Sequence, residues 1–288
     1  MGLYMKETDI FIVGANGQLG TALRQKYPNA KSADSDTLDI TDRKSVENYD
    51  WSGIKVLINS AAYTNVSGAE TPKGRTATWA VNATAVGNLA QVARQNNITL
   101  VHISTDYVFD GTITPHLEDE PFSPLSVYGA SKASGDLLVS TLQNYYILRT
   151  SWVIGEGKNF VRTMLDLAHK GINPSVVNDQ IGRLTFTGEL VKAIDFILST
   201  KAPFGTYNIT NDGQSTSWAE ITKTIYRLSN LTNTVTGVST KDYYKDKQGI
   251  APRPLQSELS LDKIKSLGYK PQPWQEALKE FLTKSPGN

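Results

Sequence analysis

Two short segments hold the residue types best suited to chemistry. Tyr128-Gly129-Ala130-Ser131-Lys132 sets a phenol and an amine four residues apart. On a helix, positions i and i+4 share a face. A lysine ammonium beside a tyrosine stabilises the phenolate, so the phenol exchanges its proton nearer neutral pH. Such a pair suits carbonyl reduction, where an alkoxide must be protonated as hydride arrives. The other segment, Val101-His102-Ile103-Ser104-Thr105-Asp106-Tyr107, reads as a buried strand that ends in polar residues. A Tyr-x-x-x-Lys spacing also arises by chance, so its weight comes from the elements around it.

The first of these elements lies near the N-terminus. Ile10-Phe11-Ile12-Val13 leads into Gly14-Ala15-Asn16-Gly17-Gln18-Leu19-Gly20, and the chain continues as a helix. Glycines at 14, 17 and 20 permit a tight turn and let a pyrophosphate approach the backbone. The helix N-terminus behind them offers free amides and the positive end of a dipole. A dinucleotide is the expected ligand, held by Gly14, Gly17, Gln18, Leu19 and Gly20; a plain strand–helix turn is the bland alternative. Asp39 and Ile40 are placed either beside an adenine or in a helix cap, since Thr41 or Asp42 suits an N-cap. Ala61, Ala62, Tyr63 and Thr64 follow the strand Val56-Leu57-Ile58-Asn59 and are expected along the same ligand. Asp34, with Lys31, Ser32 and Ser35 nearby, leaves NADH and NADPH both open. Asn82 lies inside a helix and reads as structural rather than as a water-binding residue.

Strands expected at residues 10–13, 56–59, 100–104 and 145–150 alternate with helices at 21–26, 78–95 and 131–143. Within residues 78–95, Trp79, Val86, Leu89 and Val92 are the inward candidates. This alternation predicts an α/β fold, a Rossmann-type doubly wound parallel sheet. Residues 1–150 then form a dinucleotide-binding domain. Residues 151–288 form a smaller substrate-binding region with helices near 160–169, 187–199, 217–228 and 274–283, and a tail frayed over residues 285–288. A strand expected at 206–209 could return to the main sheet.

Composition closes off other classes. The 288 residues carry 29 Lys and Arg against 28 Asp and Glu, a net charge of +1, which gives no global attraction to nucleic acid or to an anionic membrane. Cysteine is absent, so disulfides and thiolate metal sites are excluded. Residues 1–9 lack the apolar core of a signal peptide, and no apolar run reaches the ~18 residues a membrane helix needs. A cytoplasmic protein is expected.

Taken together, these segments are similar to the extended short-chain dehydrogenase/reductases, and among them to the dTDP-4-dehydrorhamnose reductases. The residues that carry the resemblance are the glycine turn, Asn59-Ser60-Ala61-Ala62-Tyr63-Thr64-Asn65-Val66, Ser104-Thr105-Asp106-Tyr107-Val108-Phe109-Asp110-Gly111 and Tyr128-Gly129-Ala130-Ser131-Lys132. Further on come Arg149-Thr150-Ser151-Trp152, Asn159-Phe160, Asp179-Gln180-Ile181-Gly182 and Arg253-Pro254-Leu255-Gln256-Ser257. Related dehydratases usually have Thr-Asp-Glu where this chain has Thr105-Asp106-Tyr107. Two positions depart from the family pattern. Ser67-Gly68 stands where an Asp is usual, and Leu184 follows Gly182-Arg183 where a Pro is usual. Both are expected near the substrate pocket.

The resemblance implies NAD(P)H-dependent reduction of the C4 keto group of a dTDP-linked sugar, dTDP-4-dehydro-L-rhamnose, with NADPH as donor and NADH open. Tyr128 would donate the proton. Lys132 would lower the Tyr128 pKa and hold the nicotinamide ribose, and Thr105 would polarise the carbonyl. Asp106, Trp152, Thr64 and Val66 would meet the sugar, and Arg253 the diphosphate. Some family members are described as magnesium-linked dimers; a homodimer stays open, and no metal-ligand cluster carries over. The residues alone allow blander readings: Trp152 as core, Asp106 as a cap, Arg253 as a surface ion pair, His102 as a packed histidine. His116 and His169 show no partners. Two rival functions stay in view, a non-catalytic NADP-binding regulatory subunit and a reductase of another nucleotide-linked keto sugar.

Overall fold

The structure, a computed structural model, describes residues 6–284. Residues 1–5 and the 285–288 tail lie outside the described residues. Six strands make the central sheet: β1 (Ile10–Val13), β2 (Lys31–Ala33), β3 (Val56–Asn59), β4 (Thr99–Thr105), β5 (Tyr145–Thr150) and β6 (Gly205–Asn208). Their spatial order is β6-β5-β4-β3-β1-β2, and every neighbouring pair is parallel. This is the doubly wound sheet the alternation predicts.

Why these runs form strands is visible in their burial. All four residues of β1 and all four of β3 are buried. Successive side chains leave a strand on opposite faces. Ile10, Ile12 and Ile58 therefore join Leu19, Leu23, Leu190 and Ile194 on one side. Phe11, Val13 and Leu57 join Val86, Leu89 and Val92 on the other. Continuous apolar runs are what a sheet covered on both faces requires. Truncating one of these fully buried side chains to alanine costs about 2–5 kcal/mol.

The covering helices of the first half are α1 (Gln18–Lys26), α2 (Arg43–Asn48), α3 (Pro72–Trp79), α4 (Ala85–Gln95) and α5 (Val127–Val139). The expected helix over 78–95 is broken differently from the periodicity. Residues Ala80–Thr84 form a π-helical turn between α3 and α4. Such a turn inserts an extra residue and rotates the preceding helix relative to the following one. Val86, Leu89 and Val92 point inward as expected, but Trp79 is 40% exposed.

The later helices are α6 (Phe160–His169), α7 (Thr187–Thr200), α8 (Trp218–Leu228), α9 (Thr240–Tyr244), α10 (Asp262–Ser266) and α11 (Trp274–Lys284). α6, α8 and α11 enclose a separate cluster with Ile154, Leu184 and Phe186. Leu184, expected near a pocket, is fully buried there. β6 pairs with β5, and α7 packs with α1 on one sheet face, so the chain returns to the main sheet after residue 151. Among the described residues no helix is long and apolar enough to cross a membrane. Because all six strands are parallel, their carboxyl ends share one edge of the sheet. Gly14, residues 61–64, Asp106 and Ser151 all emerge there, the edge where ligands bind in such folds.

Candidate active site

The glycine turn fits a dinucleotide by observation. Gly14 has a φ of +76°, and a Cβ there would stand 2.5 Å from the Ala61 nitrogen. A Cβ on Gly20 would stand 2.1 Å from the Gly14 carbonyl oxygen. Both glycines are thus demanded by backbone packing, whatever binds. Gly17 is the N-cap of α1 and supplies no side-chain cap, which leaves the first helical amides free for an anion. The Gln18 amide donates to the Lys158 carbonyl at 3.1 Å, and its Oε1 is buried without a partner. Leu19 sends its side chain into the core, so only its backbone can face a ligand.

At the adjacent strand ends, Asn16 donates to the Asp34 carboxylate just beyond β2. Asp39 is exposed and holds Thr41 through both its N–H, at 2.9 Å, and its hydroxyl, at 2.7 Å. Asp42 caps α2 by accepting from Lys44 N–H. Ile40 is a core residue whose carbonyl accepts from Asn88. The segment therefore shows the cap geometry. The Tyr63 backbone is clamped by Asn82, whose Oδ1 accepts its N–H at 2.8 Å and whose Nδ2 donates to its carbonyl at 3.0 Å. Asn82 also donates to the Ser131 hydroxyl on α5. Its amide is spent on structure, and the π-helical turn is what aims it. Thr64 is exposed; Ala61, Ala62 and Val66 are half-buried.

Around β4 the polar residues crowd together. The Thr105 hydroxyl donates to Asp106 Oδ1 at 3.0 Å and accepts from Tyr107 N–H at 3.2 Å. Asp106 is 2% exposed, and its Oδ2 has no hydrogen-bond partner. Burial pushes its pKa up to about 6, although the neighbouring hydroxyls of Ser257 and Thr105 pull it down. α5 carries Tyr128 and Lys132 into this corner. Its N-terminus is capped by Ser126, which accepts from Gly129 N–H, and by Glu70, which accepts from Val127 N–H at 2.9 Å. Gly129 lets the helix close on the Tyr107 carbonyl, where a Cβ would come within 2.2 Å.

The electrostatics of Tyr128 differ from the expectation. Its pKa is raised, first by burial and then by the Asp106 charge, while hydrogen bonding with Thr105 opposes the rise. Lys132 does not offset this. Its Nζ donates to the Ile103 carbonyl at 2.6 Å and lies 3.3 Å from His102 Nε2. Burial brings Lys132 itself down to about 8, against the upward pull of Asp136. The spacing gives the shared face; the loss of solvent at that face decides the protonation. Tyr128 is thus a protonated phenol at neutral pH.

Trp152 sits after β5 with a φ of +47°, a strained value for a bulky residue. Its ring stacks on Trp218 at 3.9 Å between centroids. Opposite lies the loop of Arg253, whose Nε is buried without a partner and whose guanidinium lies 5.5 Å from the Tyr244 ring centre. Asp179 holds α9 by accepting the Thr240 N–H at 2.8 Å, and Ile181 pairs with residues 255 and 257 through backbone bonds. The Asp179-Gln180-Ile181-Gly182 segment therefore anchors both walls. The Ser67 hydroxyl accepts from Ala251 N–H at 3.4 Å and ties that loop to residues 64–66.

Sequence reasoning missed Tyr107, whose ring meets Tyr128 edge-on at 5.7 Å and feels the charges of Asp106 and Arg253. It missed Ser257 and Glu70, whose partners Asp106 and Val127 lie far away in the chain, and Tyr244, whose ring faces Arg253 across a polar, turn-rich loop. It also gave His116 no partners. The ring bonds the Glu120 carboxylate at 2.9 Å and the Gln256 carbonyl at 3.1 Å, and stacks on Phe109. Among the described residues no group of three or more His, Asp or Glu is placed to hold a metal ion.

Known proteins align with this arrangement over nearly the whole chain. dTDP-4-dehydrorhamnose reductase of Aggregatibacter actinomycetemcomitans is 36% identical, covering 94% of this chain and 97% of that protein. A probable dTDP-4,6-dihydroxy-2-methyloxan-3-one 4-ketoreductase of Streptomyces antibioticus is 35% identical over 93% of this chain and 92% of its own. The crystal structure of dTDP-4-dehydrorhamnose reductase from Bacillus anthracis, in complex with NADP, superposes with a TM-score of 0.88 at 35% identity, covering 96% of this chain and 99% of that one. The family model described as RmlD substrate binding domain matches residues 8–286. With the glycine turn, the Thr105–Asp106 corner and the Tyr128–Lys132 face on one edge of the sheet, the chain belongs to that family, the dTDP-4-dehydrorhamnose reductases.

Proposed function

We propose that the chain reduces the C4 keto group of dTDP-4-dehydro-L-rhamnose to give dTDP-L-rhamnose, with NADPH or NADH as donor, in the cytoplasm. The observation that carries this reading is the convergence of Thr105, Tyr128 and Lys132 beside the glycine turn. The nicotinamide, when bound, supplies the hydride to C4. Gly14 and Gly20 let the turn and α1 pack closely, Gly17 leaves room for the pyrophosphate, and the free amides at the start of α1 bind it. Thr105, by swinging its single hydroxyl proton from Asp106 to the substrate, donates a hydrogen bond to the carbonyl oxygen, a contact that strengthens as negative charge develops and is worth up to a few kcal/mol in comparable donors. Tyr128 delivers its proton to that oxygen. Its raised pKa keeps the proton available at neutral pH. Lys132 lies one turn further along the same helix face and holds the nicotinamide ribose. Asp106, Trp152, Thr64 and Val66 line the sugar side. Arg253, with an unpartnered Nε, takes the diphosphate.

The test is loss of reduced-nicotinamide absorbance with dTDP-4-dehydro-L-rhamnose made in situ, using NADPH and then NADH. Clear oxidation with either supports the reading. Cofactor binding without turnover overturns it in favour of a regulatory subunit. A second reading is a reductase of a different dTDP-linked keto sugar. The 4-ketoreductase relative and the Ser67 departure favour it, and competition among keto sugars separates the two.

A further inference from the structure

A buried polar chain stands behind Lys132, and the proposed reaction does not use it. It begins at Asn59, the last residue of β3. Asn59 Oδ1 accepts the Ala61 N–H at 3.1 Å, which turns its Nδ2 toward His102 Nδ1 at 3.0 Å. An amide N–H only donates, so Nδ1 accepts. A neutral ring then carries its proton on Nε2. His102 is neutral because burial holds its pKa well below the ordinary value, with the Lys132 charge adding to the effect. Nε2 faces two groups, Lys132 Nζ at 3.3 Å and Asp136 Oδ1 at 3.9 Å. Asp136 Oδ2 accepts from Arg149 Nε at 3.1 Å, and Arg149 also donates to the Glu118 carbonyl at 2.9 Å. Asn59, His102, Lys132, Asp136 and Arg149 are between 0% and 4% exposed, so water does not screen them.

These orientations pull one amine in opposite directions. A ring N–H aimed at an ammonium sets donor against donor. Aimed at a neutral amine, it donates to the lone pair. His102 therefore favours the amine, and Asp136 favours the ammonium. Among the described residues, the other titratable or charged groups that act on this chain are Tyr128 on the same helix, which feels the Asp136 charge, and Arg149 on β5, already committed to Asp136. We propose that His102 is a positioning residue for Lys132 which, in opposition to Asp136, sets the proton occupancy of the lysine amine and links it through Asn59 to the Ala61 backbone beside the glycine turn. The proposal rests on the reading of Lys132 as an active-site residue.

Two measurements on the full chain test it, one of them free of turnover. In protein with nitrogen-labelled histidine, the His102 ring resonances are expected to show the Nε2-protonated tautomer. They are expected to shift with a midpoint near the Lys132 value of about 8, a response absent from Lys132→Met. Asp136→Asn moves that midpoint down by about one pH unit. A proton on Nδ1, a flat titration, or an unmoved midpoint in a folded Asp136→Asn protein overturns the proposal. The second measurement is the pH profile of turnover, with circular dichroism as the folding control. The alkaline limb moves up in His102→Leu and down in Asp136→Asn, while KM for the sugar stays within about twofold. His102→Gln serves if the leucine variant does not fold. Limbs that superimpose, or move together, overturn the proposal. An inactive wild type with the expected histidine titration sinks the reductase reading and leaves this one standing.

Discussion

Two glycines of the same turn should respond to alanine in different ways. Gly20 lies inside α1, and its added Cβ would stand 2.1 Å from the Gly14 oxygen and 2.8 Å from the Ala15 carbonyl carbon. Both are backbone atoms, so the helix must move off the strand turn by about an ångström. Overpacking of that kind costs about 1–3 kcal/mol. That is a large share of the roughly 5–15 kcal/mol a folded chain has to lose. Gly17 is different. Its φ of −71° and ψ of 169° suit any residue, and its Cβ would meet nothing closer than the Gly14 oxygen at 3.4 Å. Alanine there loses some capping preference and gains from a less flexible unfolded chain, each about 0.5 kcal/mol. Folding stability should hardly change. The methyl group, however, would stand at the mouth of the α1 amides, where a pyrophosphate oxygen must come within hydrogen-bond distance. NADPH affinity should fall at least about tenfold, or about 1.4 kcal/mol. Thermal unfolding and an NADPH fluorescence titration read the two effects separately. Wild-type NADPH affinity in Gly17→Ala would refute the placement of the phosphates. A wild-type unfolding temperature in Gly20→Ala would refute the packing argument.

Other variants probe the chemistry and the core. Tyr128→Phe should bind NADPH normally and lose about 10²–10⁴-fold in turnover, measured at saturating cofactor; retained turnover means that another group delivers the proton. Asp106 has a folded pKa raised to about 6, so the native state holds a proton that the unfolded chain releases. Its contribution to stability is therefore greatest below the ordinary carboxylate value and falls as pH rises to about 6. Asp106→Asn should match wild type in unfolding temperature near pH 4 and exceed it at pH 8, by at most about 3 kcal/mol, while losing activity. A lower melting temperature at pH 8 would show that the carboxylate is stabilised in the fold. Arg149→Met leaves Asp136 as an uncompensated buried charge and should cost about 3–5 kcal/mol in urea unfolding. A loss below 1 kcal/mol would mean that Asp136 takes up a proton instead.

What could be read from the residues beforehand divides along a physical line. β1 and β3 were legible to the residue because continuous apolar runs are what a sheet buried on both faces needs, and β5 from its Tyr145–Leu148 stretch, although it goes on into the buried polar Arg149 and Thr150. The glycine turn was legible because its demands are local: a positive φ at Gly14 and a close backbone approach at Gly20. The face shared by Tyr128 and Lys132 follows from helical pitch alone. The protonation state of that face does not. It depends on how much water the loops of Tyr107, Arg253 and Ser257 exclude, and those loops come from separate parts of the chain. Trp79 was misplaced because a single π-helical turn shifts a helix face, and nothing in its apolar spacing marks the insertion.

His102 shows the limit most clearly. In a run of strand residues it is indistinguishable from a packed histidine, and packed it is. Its neighbours are Asn59, Lys132, Asp136 and, through Asp136, Arg149, brought together by three parallel strands and one helix. An apolar side chain of similar size would fill the same space without the cost of burying a polar ring. A ring whose Nε2 lies 3.3 Å from a lysine amine and 3.9 Å from a carboxylate, and whose tautomer is dictated by an amide fixed to the ligand-facing loop, does more than fill space. The geometry connects the backbone at Ala61 to the amine at Lys132 through side chains alone. Any ligand that displaces the Ala61 N–H from Asn59 frees the amide to turn. His102 would then lose the donor that fixes its proton on Nε2, and the pull on Lys132 would change sign.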